Sequence, residues 1–531
     1  MSSETTALSV DPPRRRLSVN TAIFAGATGL SRIAGLAREI VAASFFGTTV
    51  AASAFTIASQ IPNLMSNLFA QAALSAAFVP VFTDLLQRGR KREAFKLAST
   101  LFWIILIVLG AVTVLGILLA GVIMPLFTGT KFTAADNALT AGLAQVLFPV
   151  VLLLGLTGLM VGILQSYDQF TVPAIAPAVW NVVILVLLIA LKPRFHQSIY
   201  AYSVAWLVAT VVQMLMVAWA LKRIDFRIRF EIDWRDPRVK RVFLLMLPVA
   251  IGLGIVNLDQ LLNAVFGSLV SGAAPRAIDQ AFRIYMLPQG VFSVAIATVL
   301  FPTLSRQAAR GAAAEMRRSI GVGMRQINLT LIPSAALVLA LAIPVTRLVY
   351  QRGEFNTTST HLVSVALFYF AFSLPFGGIN LLLTRAFFAL QRPWIPTLYA
   401  AINMVVDIIV SIALYKPLGI AGLVIGTAVA NIVMTALQWR RLRIGFNGRL
   451  EGPQTVMITA RILVASALMA GVAYGIWKLL ESLLGLSLAA QLISVGLAIG
   501  VAVALYAKLV LLMRIPEARQ IKALITERVG A

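Results

Sequence analysis

Leu101 to Ile123 reads LFWIILIVLGAVTVLGILLAGVI, an apolar run without a single charge. About 20 apolar residues wound as a helix cross roughly 30 Å of hydrocarbon, so this stretch by itself points to a membrane span. Comparable runs recur from Ser18 to Met513. The alternation over about ten residues that marks a transmembrane β-barrel is absent. The reading is an all-α polytopic membrane protein of about fourteen transmembrane helices, expected at 18–46, 51–86, 97–127, 137–166, 173–192, 199–221, 239–270, 275–305, 319–350, 358–389, 394–415, 418–439, 455–480 and 487–513.

Composition agrees. The chain is 60% hydrophobic and 12% charged, with a mean hydropathy of +0.90, whereas soluble domains carry about a quarter charged residues. The net charge of +24 would suit nucleic acid, but its distribution does not. Lys and Arg gather between apolar runs, at Arg14 to Arg16, Arg88 to Lys96, Lys222 to Arg241, Arg306 to Arg318, Arg440 to Arg449 and Arg514 to Arg528. With residue 1 inside, all of these fall inside, which is the positive-inside bias of a multi-pass protein of the bacterial inner membrane with both termini cytoplasmic. No basic segment carries a nucleic-acid motif, so no nucleic-acid partner is expected.

There is no cysteine, which removes disulfides, thiolate metal sites and cysteine nucleophiles. The two histidines, His196 and His361, have no second ligand at metal spacing. The first 17 residues are polar and basic, and the run after them contains Arg32 and Arg38 and is too long for a cleaved signal peptide, so it reads as helix 1.

The chain repeats itself at an offset near 222 to 226 residues. Phe78-Val-Pro80 before Gly89 answers to Phe301-Pro302 before Gly311; Lys131-Phe132-Thr133 before Pro149 answers to Glu354-Phe355-Asn356 before Pro375; Leu164-Gln165 leading to Asn181 answers to Leu390-Gln391 leading to Asn403. The offset spans six helices, so the halves share an orientation and imply a pseudo-two-fold along the membrane normal. The expected layout is an N-terminal tail at 1–17, an N-lobe at 18–222, a C-lobe at 223–440, two final helices at 441–513 and a cytoplasmic tail at 514–531. Two such six-helix lobes, with prolines and glycines near mid-membrane, suit alternating access; singly, those residues also serve close helix packing.

Ionisable residues inside spans are the informative ones, because each costs roughly 2.5 to 3.5 kcal/mol at the bilayer centre and usually faces a polar cavity. Helix 1 holds Arg32, Arg38 and Glu39; helix 8 holds Arg276 and Arg283; helix 10 holds Arg385. At about 100° per residue Arg32 and Glu39 share a face, with Arg38 some 120° round. Several arginines lining one cavity point to a phosphorylated substrate, since the guanidinium grips phosphate through paired hydrogen bonds. The plainer alternative is snorkelling or pairing with Glu39, favoured for Arg276 and Arg385. A second group is acidic: Asp259 in helix 7, and Asn403 and Asp407 one turn apart in helix 11, with Thr427 in helix 12 able to add an oxygen. Such oxygens suit a hard cation or a titrating proton; a helix–helix hydrogen-bond cluster is the alternative. There is no Walker A loop, nucleophile elbow or HExxH. No enzyme chemistry and no cofactor are expected, and the driving force is expected from sodium, a proton gradient, the membrane potential or the substrate gradient.

These residues also carry a resemblance. Ser31-Arg32-Ile-Ala-Gly35-Leu-Ala-Arg38-Glu39, Phe46-Gly47, Pro62-Asn63-Leu64, Phe78-Val-Pro80, Arg283 with Pro288 and Gly290, Phe301-Pro302-Thr303-Leu304-Ser305 and Gln351-Arg-Gly353-Glu-Phe355 run in order through helix 12. Together they resemble the MurJ (MviN) lipid II flippases, within the superfamily of multidrug, oligosaccharidyl-lipid and polysaccharide exporters. The resemblance implies fourteen helices in two six-helix lobes plus a final pair, and outward movement of lipid-linked peptidoglycan precursor. It implies that Arg32, Arg38 and Arg283 engage the substrate's diphosphate, with Glu39 beside them. Three positions depart from the family: Ser53 where an acid is common, Ser66 where helix 2 usually carries an arginine, and Gln71 where a glutamate is common. Either fewer arginines hold lipid II, or the cargo is another polyprenyl-linked molecule. A drug exporter would need aromatic and acidic groups for cations, and a scaffold or enzyme would leave the repeat and the intramembrane charges unexplained.

Overall fold

The computed structural model describes residues 12–69, 72–195, 198–224, 226–447 and 452–519. Every described regular element is helical. In the first half these are α1 (Pro12–Phe46), α2 (Val50–Phe69), α3 (Ala72–Gln87), α4 (Lys91–Ile123), α5 (Ala134–Leu147), α6 (Pro149–Ser166), α7 (Thr171–Leu191) and α8 (Ile199–Leu221). The rest are α9 (Pro237–Val270), α10 (Ala274–Pro288), α11 (Val294–Ala309), α12 (Ala313–Tyr350), α13 (Thr357–Ala389), α14 (Trp394–Leu418), α15 (Ile420–Gly445), α16 (Gly452–Leu484) and α17 (Leu488–Leu512).

Helices cover each of the fourteen expected stretches in order, span 2 by α2 and α3, and among the described residues two of the stretches are interrupted. Span 4 bends where Pro149 opens α6, because proline offers no N–H to the preceding turn. Span 8 becomes α10 and α11 joined by a π turn, Gln289–Ser293, directly after Pro288. Among the described residues eleven helices are long and apolar enough to cross a membrane. α12 is continuous but kinked at Leu341 (φ −118°, ψ 21°), three residues before Pro344. Starts are capped where the sequence permits: Thr133 and Asp136 form a reciprocal capping box on α5, and the Asn356 side chain accepts from Ser359 N on α13 at 2.9 Å.

The chain divides into two compact units. The first comprises Met1–Phe46, Ala54–Thr128 and Thr133–Leu261, so the division falls within α9, downstream of residue 222 where the repeat divides the chain. Within this unit α7 packs on α1 and α8, while α6 packs on α3, α4 and α8. In the second unit α14 packs on α15, and α13 packs on α11, α12 and α15. The packing of α6 on α3, α4 and α8 and of α7 on α8 therefore recurs in the second unit, at α13 and at α14 on α15. α16 and α17 add a cluster against α12 that includes Ile462, Met469, Ala498 and Tyr506.

Two short segments from the first half, Gly47–Ser53 and Gly129–Phe132, belong to the second unit. Thr48 and Ser359 share a hydrogen bond of 2.8 Å, and Gly129 N donates to Ser268 Oγ at 2.6 Å. Gly47 has φ +54°, and a Cβ there would lie 2.6 Å from the Glu354 carbonyl oxygen, so the turn and the close approach both require glycine. Where the tail at 514–531 is expected to begin, the chain is packed: Ile515, Glu517 and Ala518 are buried, and Glu517 is ion-paired with Arg325 of α12. The lipid-facing surface is apolar, as Leu118 and Val122 of α4 and Leu463 and Leu492 of α16 and α17 illustrate.

Candidate functional site

In the first unit the candidate charges of α1 sit in two environments. Arg32 is exposed. Arg38 is only 5% exposed, and its Nη2 donates to Glu39 Oε1 at 2.6 Å. α7 and α8 supply the enclosure: the Arg38 guanidinium lies 5.0 Å from the Trp180 ring centre and 5.2 Å from that of Trp206. The two indoles meet edge to face at 4.9 Å, and Trp180 Nε1 donates to Thr210 Oγ1 at 3.0 Å. Tyr202 OH donates to Glu39 Oε1 at 3.3 Å while its ring stacks on Phe55 at 4.2 Å. A guanidinium between π faces beside a carboxylate is well compensated electrostatically. It is not fully satisfied: Arg38 Nε and Nη1 are buried with no hydrogen-bond partner. Buried N–H groups rarely remain unpaired, and two on one guanidinium suit an oxyanion. In this conformation Arg38 is thus an enclosed cation paired with Glu39.

Asn181 of α7 fixes α1 against this cage. Its Nδ2 donates to Ser31 O at 3.3 Å and to Pro177 O at 3.0 Å, and Gly35 lets its side chain lie against the α1 backbone.

In the second unit α10 carries a triad. Asp279 Oδ2 accepts from Arg276 Nη1 and from Arg283 Nε, each at 3.0 Å. Arg276 is buried; Arg283 keeps 34% of its side chain exposed. Asp279 escaped the sequence reading, although its positions three after Arg276 and four before Arg283 put all three on one helix face. Ser53 is buried, and its Oγ accepts from Arg276 N at 3.3 Å, where it satisfies a free amide in the first turn of α10. Arg385 of α13 lies 5.5 Å from the Phe301 ring centre. Ser66 and Gln71 have side chains outside the described residues, as has His196; His361 is exposed near the start of α13.

The acidic candidates are distributed between the units. Asp259 belongs to the first; Asn403, Asp407 and Thr427 belong to the second. Asp407 is buried and accepts from Thr427 Oγ1 at 3.2 Å, Ser411 Oγ at 3.1 Å and Asn263 Nδ2 at 3.4 Å. Asn403 Nδ2, one turn away, is buried without a partner. Ser411 and Asn263 were missed, though Asn403, Asp407 and Ser411 recur every fourth residue and so line one stripe of α14. Gly426 of α15 makes the approach possible, since a Cβ there would lie 2.5 Å from Asp407 Oδ1. Among the described residues no group of three or more His, Cys, Asp or Glu could hold a metal ion, so a cation here would rest on one carboxylate plus hydroxyl and amide oxygens.

From Thr427 the polar contacts continue along α15. Asn431 Nδ2 donates to Thr427 O at 3.0 Å and to Ser373 Oγ at 2.9 Å, and Ser373 meets Tyr285 OH at 3.3 Å. Asn380 Nδ2 donates to Asn431 Oδ1 at 3.1 Å, and Thr435 Oγ1 donates to Asn380 Oδ1 at 2.8 Å. This seam joins the Asp407 cluster to α10, two residues from Arg283.

Residues 42–494 match the family described as "Lipid II flippase MurJ". A probable lipid II flippase MurJ of Rhizobium meliloti is 31% identical, over 85% of each chain. A probable lipid II flippase MurJ of Vibrio cholerae is 26% identical over 94% of this chain and 96% of its own. A solved structure of the lipid II flippase MurJ in an inward closed conformation superposes with a TM-score of 0.75 at 21% identity, covering 92% of this chain and 99% of that one, and so shares the fold.

Proposed function

We infer that this chain, which belongs to the lipid II flippase MurJ family, moves undecaprenyl-diphosphate-linked peptidoglycan precursor, lipid II, from the inner to the outer leaflet by alternating access. It is a multi-pass protein of the bacterial inner membrane, and a transporter. The family match over residues 42–494 carries this reading.

The physical task is to carry a charged headgroup across a region where it has no solvent. Unpaired, a diphosphate in hydrocarbon is prohibitively costly. Arginines supply its counter-charge and hydrogen bonds while the polyprenyl tail stays in lipid. Exposed Arg32 and partly exposed Arg283 are the accessible cations. Arg38 takes part when its cage opens, because its Nε and Nη1 already lack partners. Glu39 and Asp279 keep Arg38 and Arg283 oriented between cycles. No bond is made or broken. The basic clusters between the spans support an orientation with both termini in the cytoplasm.

Asp407, Asn403 and Thr427 offer the oxygens that would seat a coupling cation or proton. The Thr427–Asn431–Ser373–Tyr285 seam offers a physical connection from that seat to α10.

The test is complementation of a flippase-depleted bacterium, scored by inner-leaflet lipid II. Expression of this chain is expected to clear the accumulated precursor. Ser66→Arg, which restores the family's usual cation, is expected to maintain or strengthen substrate binding. If neither the parent nor Ser66→Arg clears lipid II although each inserts, the cargo is a different lipid-linked molecule.

A further inference from the structure

Residues 226–236, between α8 and α9, lie without helix against the start of α4. Side chains of α4 hold this segment by its backbone. Arg229 N donates to Ser99 Oγ at 3.0 Å, Trp103 Nε1 donates to Arg229 O at 2.9 Å, and Thr100 Oγ1 donates to Glu231 O at 3.2 Å. Thr100 Oγ1 also accepts from Asp233 N at 3.3 Å, and Lys96 pairs with Asp233 at 2.7 Å. Arg238 bridges Glu93 and Asp236 and holds the Asp236 carboxyl below the usual carboxylate range, which keeps that end pinned.

A segment anchored so thoroughly is expected to bury its apolar side chains. Past Phe226, which is buried against Phe95, it does the reverse. Ile228, Phe230, Ile232 and Trp234 occupy every second position, which in extended chain is one side, and all four are exposed, Phe230 by 79% and Trp234 by 75%. Between them stand Arg229, Glu231 and Asp233, with exposed Arg227 and Arg235 at either end of the row, and Arg229 lies 4.0 Å from Glu231. The depth is readable from α4. Phe230 packs edge-on against Trp103 at 4.8 Å, and exposed aliphatic residues of α4 begin at Ile107, about 6 Å further along the axis at 1.5 Å per residue. Aromatic residues backed by arginines at this level match the interfacial belt of a membrane protein.

We propose that residues 228–234 are a membrane-surface anchor, with Ile228, Phe230, Ile232 and Trp234 inserted among the upper acyl carbons of the adjoining leaflet and Arg227, Arg229 and Arg235 against its anionic headgroups. The occupant is the lipid surface itself, because the apolar row continues the lipid-facing surface of α4, arginines flank it at both ends, and the two acids within it are paired with Lys96 and Arg229. Calling that leaflet the cytoplasmic one rests on the orientation proposed above; the anchor does not.

The chain has no cysteine, so single-cysteine probes need no further change. Phe230→Cys, Ile232→Cys and, as a control in the loop-proximal start of α12, Ala314→Cys are labelled with an environment-sensitive fluorophore in the full-length protein. Each is placed in nanodiscs of phosphatidylcholine with or without phosphatidylglycerol. The anchor is expected to give blue-shifted emission at 230 and 232, quenching by brominated acyl chains and protection from aqueous iodide, with the opposite pattern at 314. Phosphatidylglycerol should strengthen the lipid quenching, and Arg227→Gln with Arg235→Gln should remove that increment. Iodide access at 230 and 232 equal to that at 314 overturns the proposal. Protection from both quenchers also overturns it, since protein would then cover the row. A parent unaffected by phosphatidylglycerol overturns the headgroup contact. None of these readouts depends on transport, so they stand apart from the cargo assignment.

Discussion

Helices α8 and α15 close the two six-helix sets, and their sequences correspond: Val208-Ala209-Thr210 in one, Val429-Ala430-Asn431 in the other. One turn earlier the chemistry diverges. α8 presents Trp206, whose ring covers the guanidinium of Arg38; α15 presents Thr427, whose hydroxyl donates to the carboxylate of Asp407. The same helical frame thus holds a cation in the first unit and an anion in the second. A π face attracts a cation, whereas a hydroxyl donor stabilises a carboxylate. The function proposed above uses the first as a partner for the anionic headgroup and the second as a seat for a coupling cation, and each role can be broken separately.

The largest effect is expected at Arg38. Arg38→Ala alone would leave Glu39 buried without its cation, a loss of roughly 3–5 kcal/mol, so the informative variant combines it with Glu39→Gln. Lipid II clearance is expected to be lost while membrane insertion is retained, and Arg38→Lys should restore only part, because a point charge cannot reproduce the guanidinium fork. Full complementation by the double variant at parental expression would remove Arg38 from the transport cycle.

Next comes Asp407. Asp407→Asn keeps size and loses charge, so a thermal stabilisation of the purified protein by sodium, or by a change of pH at fixed ionic strength, should vanish with it. Gly426→Ala should do the same by another route, since its methyl group would be forced against Asp407 Oδ1 and Ser411 Oγ. A parent protein that responds to neither ion reduces the cluster to helix packing.

Smaller and opposed effects are expected from the divergent pair itself. Thr427→Val removes a hydrogen bond to a charged group, about 1.5–3 kcal/mol, and should weaken the sodium or pH response. Trp206→Leu removes one of two π faces, about 0.5–2 kcal/mol, and should leave that response intact while lowering the melting temperature. If both substitutions alter the ion response, the two units do not divide the work as their lining suggests.

How much of this was legible follows from what helix periodicity can and cannot report. Apolar runs located every span, because hydrocarbon thickness sets their length. The breaks at Pro149 and after Pro288 were less visible, since proline within a span signals a bend without saying whether the helix continues. Arg38 and Asp407 stood out as charges in apolar sequence. Their partners did not: Trp180 and Trp206 read as ordinary membrane aromatics, and 142 residues separate Arg38 from Trp180, so only folding brings them together. Asp279 and Ser411 were accessible in principle through their helical spacing. Asn263 was not, because its contact with Asp407 crosses from α9 to α14.

The smallest expected effect tests the frame that the two units share. Asn181 of α7 and Asn403 of α14 correspond in the repeat, and the helix that carries each meets a glycine of a neighbouring element across a gap, Gly35 of α1 and Gly426 of α15. On the first-unit side that gap is generous: a Cβ on Gly35 would lie 3.5 Å from Asn181 Oδ1, which is ordinary contact. Gly35→Ala therefore needs no movement of Asn181, and alanine is favoured over glycine inside a helix by up to about 1 kcal/mol. The variant is expected to flip lipid II normally and to melt at or slightly above the parent temperature. Gly426→Ala, the same chemical change opposite Asp407, is expected to melt lower, so the pair measures how differently the two units use close approach. A Gly35→Ala protein that inserts and melts normally yet fails to clear lipid II would show that α1 must slide past α7 during transport, placing a moving joint where the packing alone indicates a fixed one.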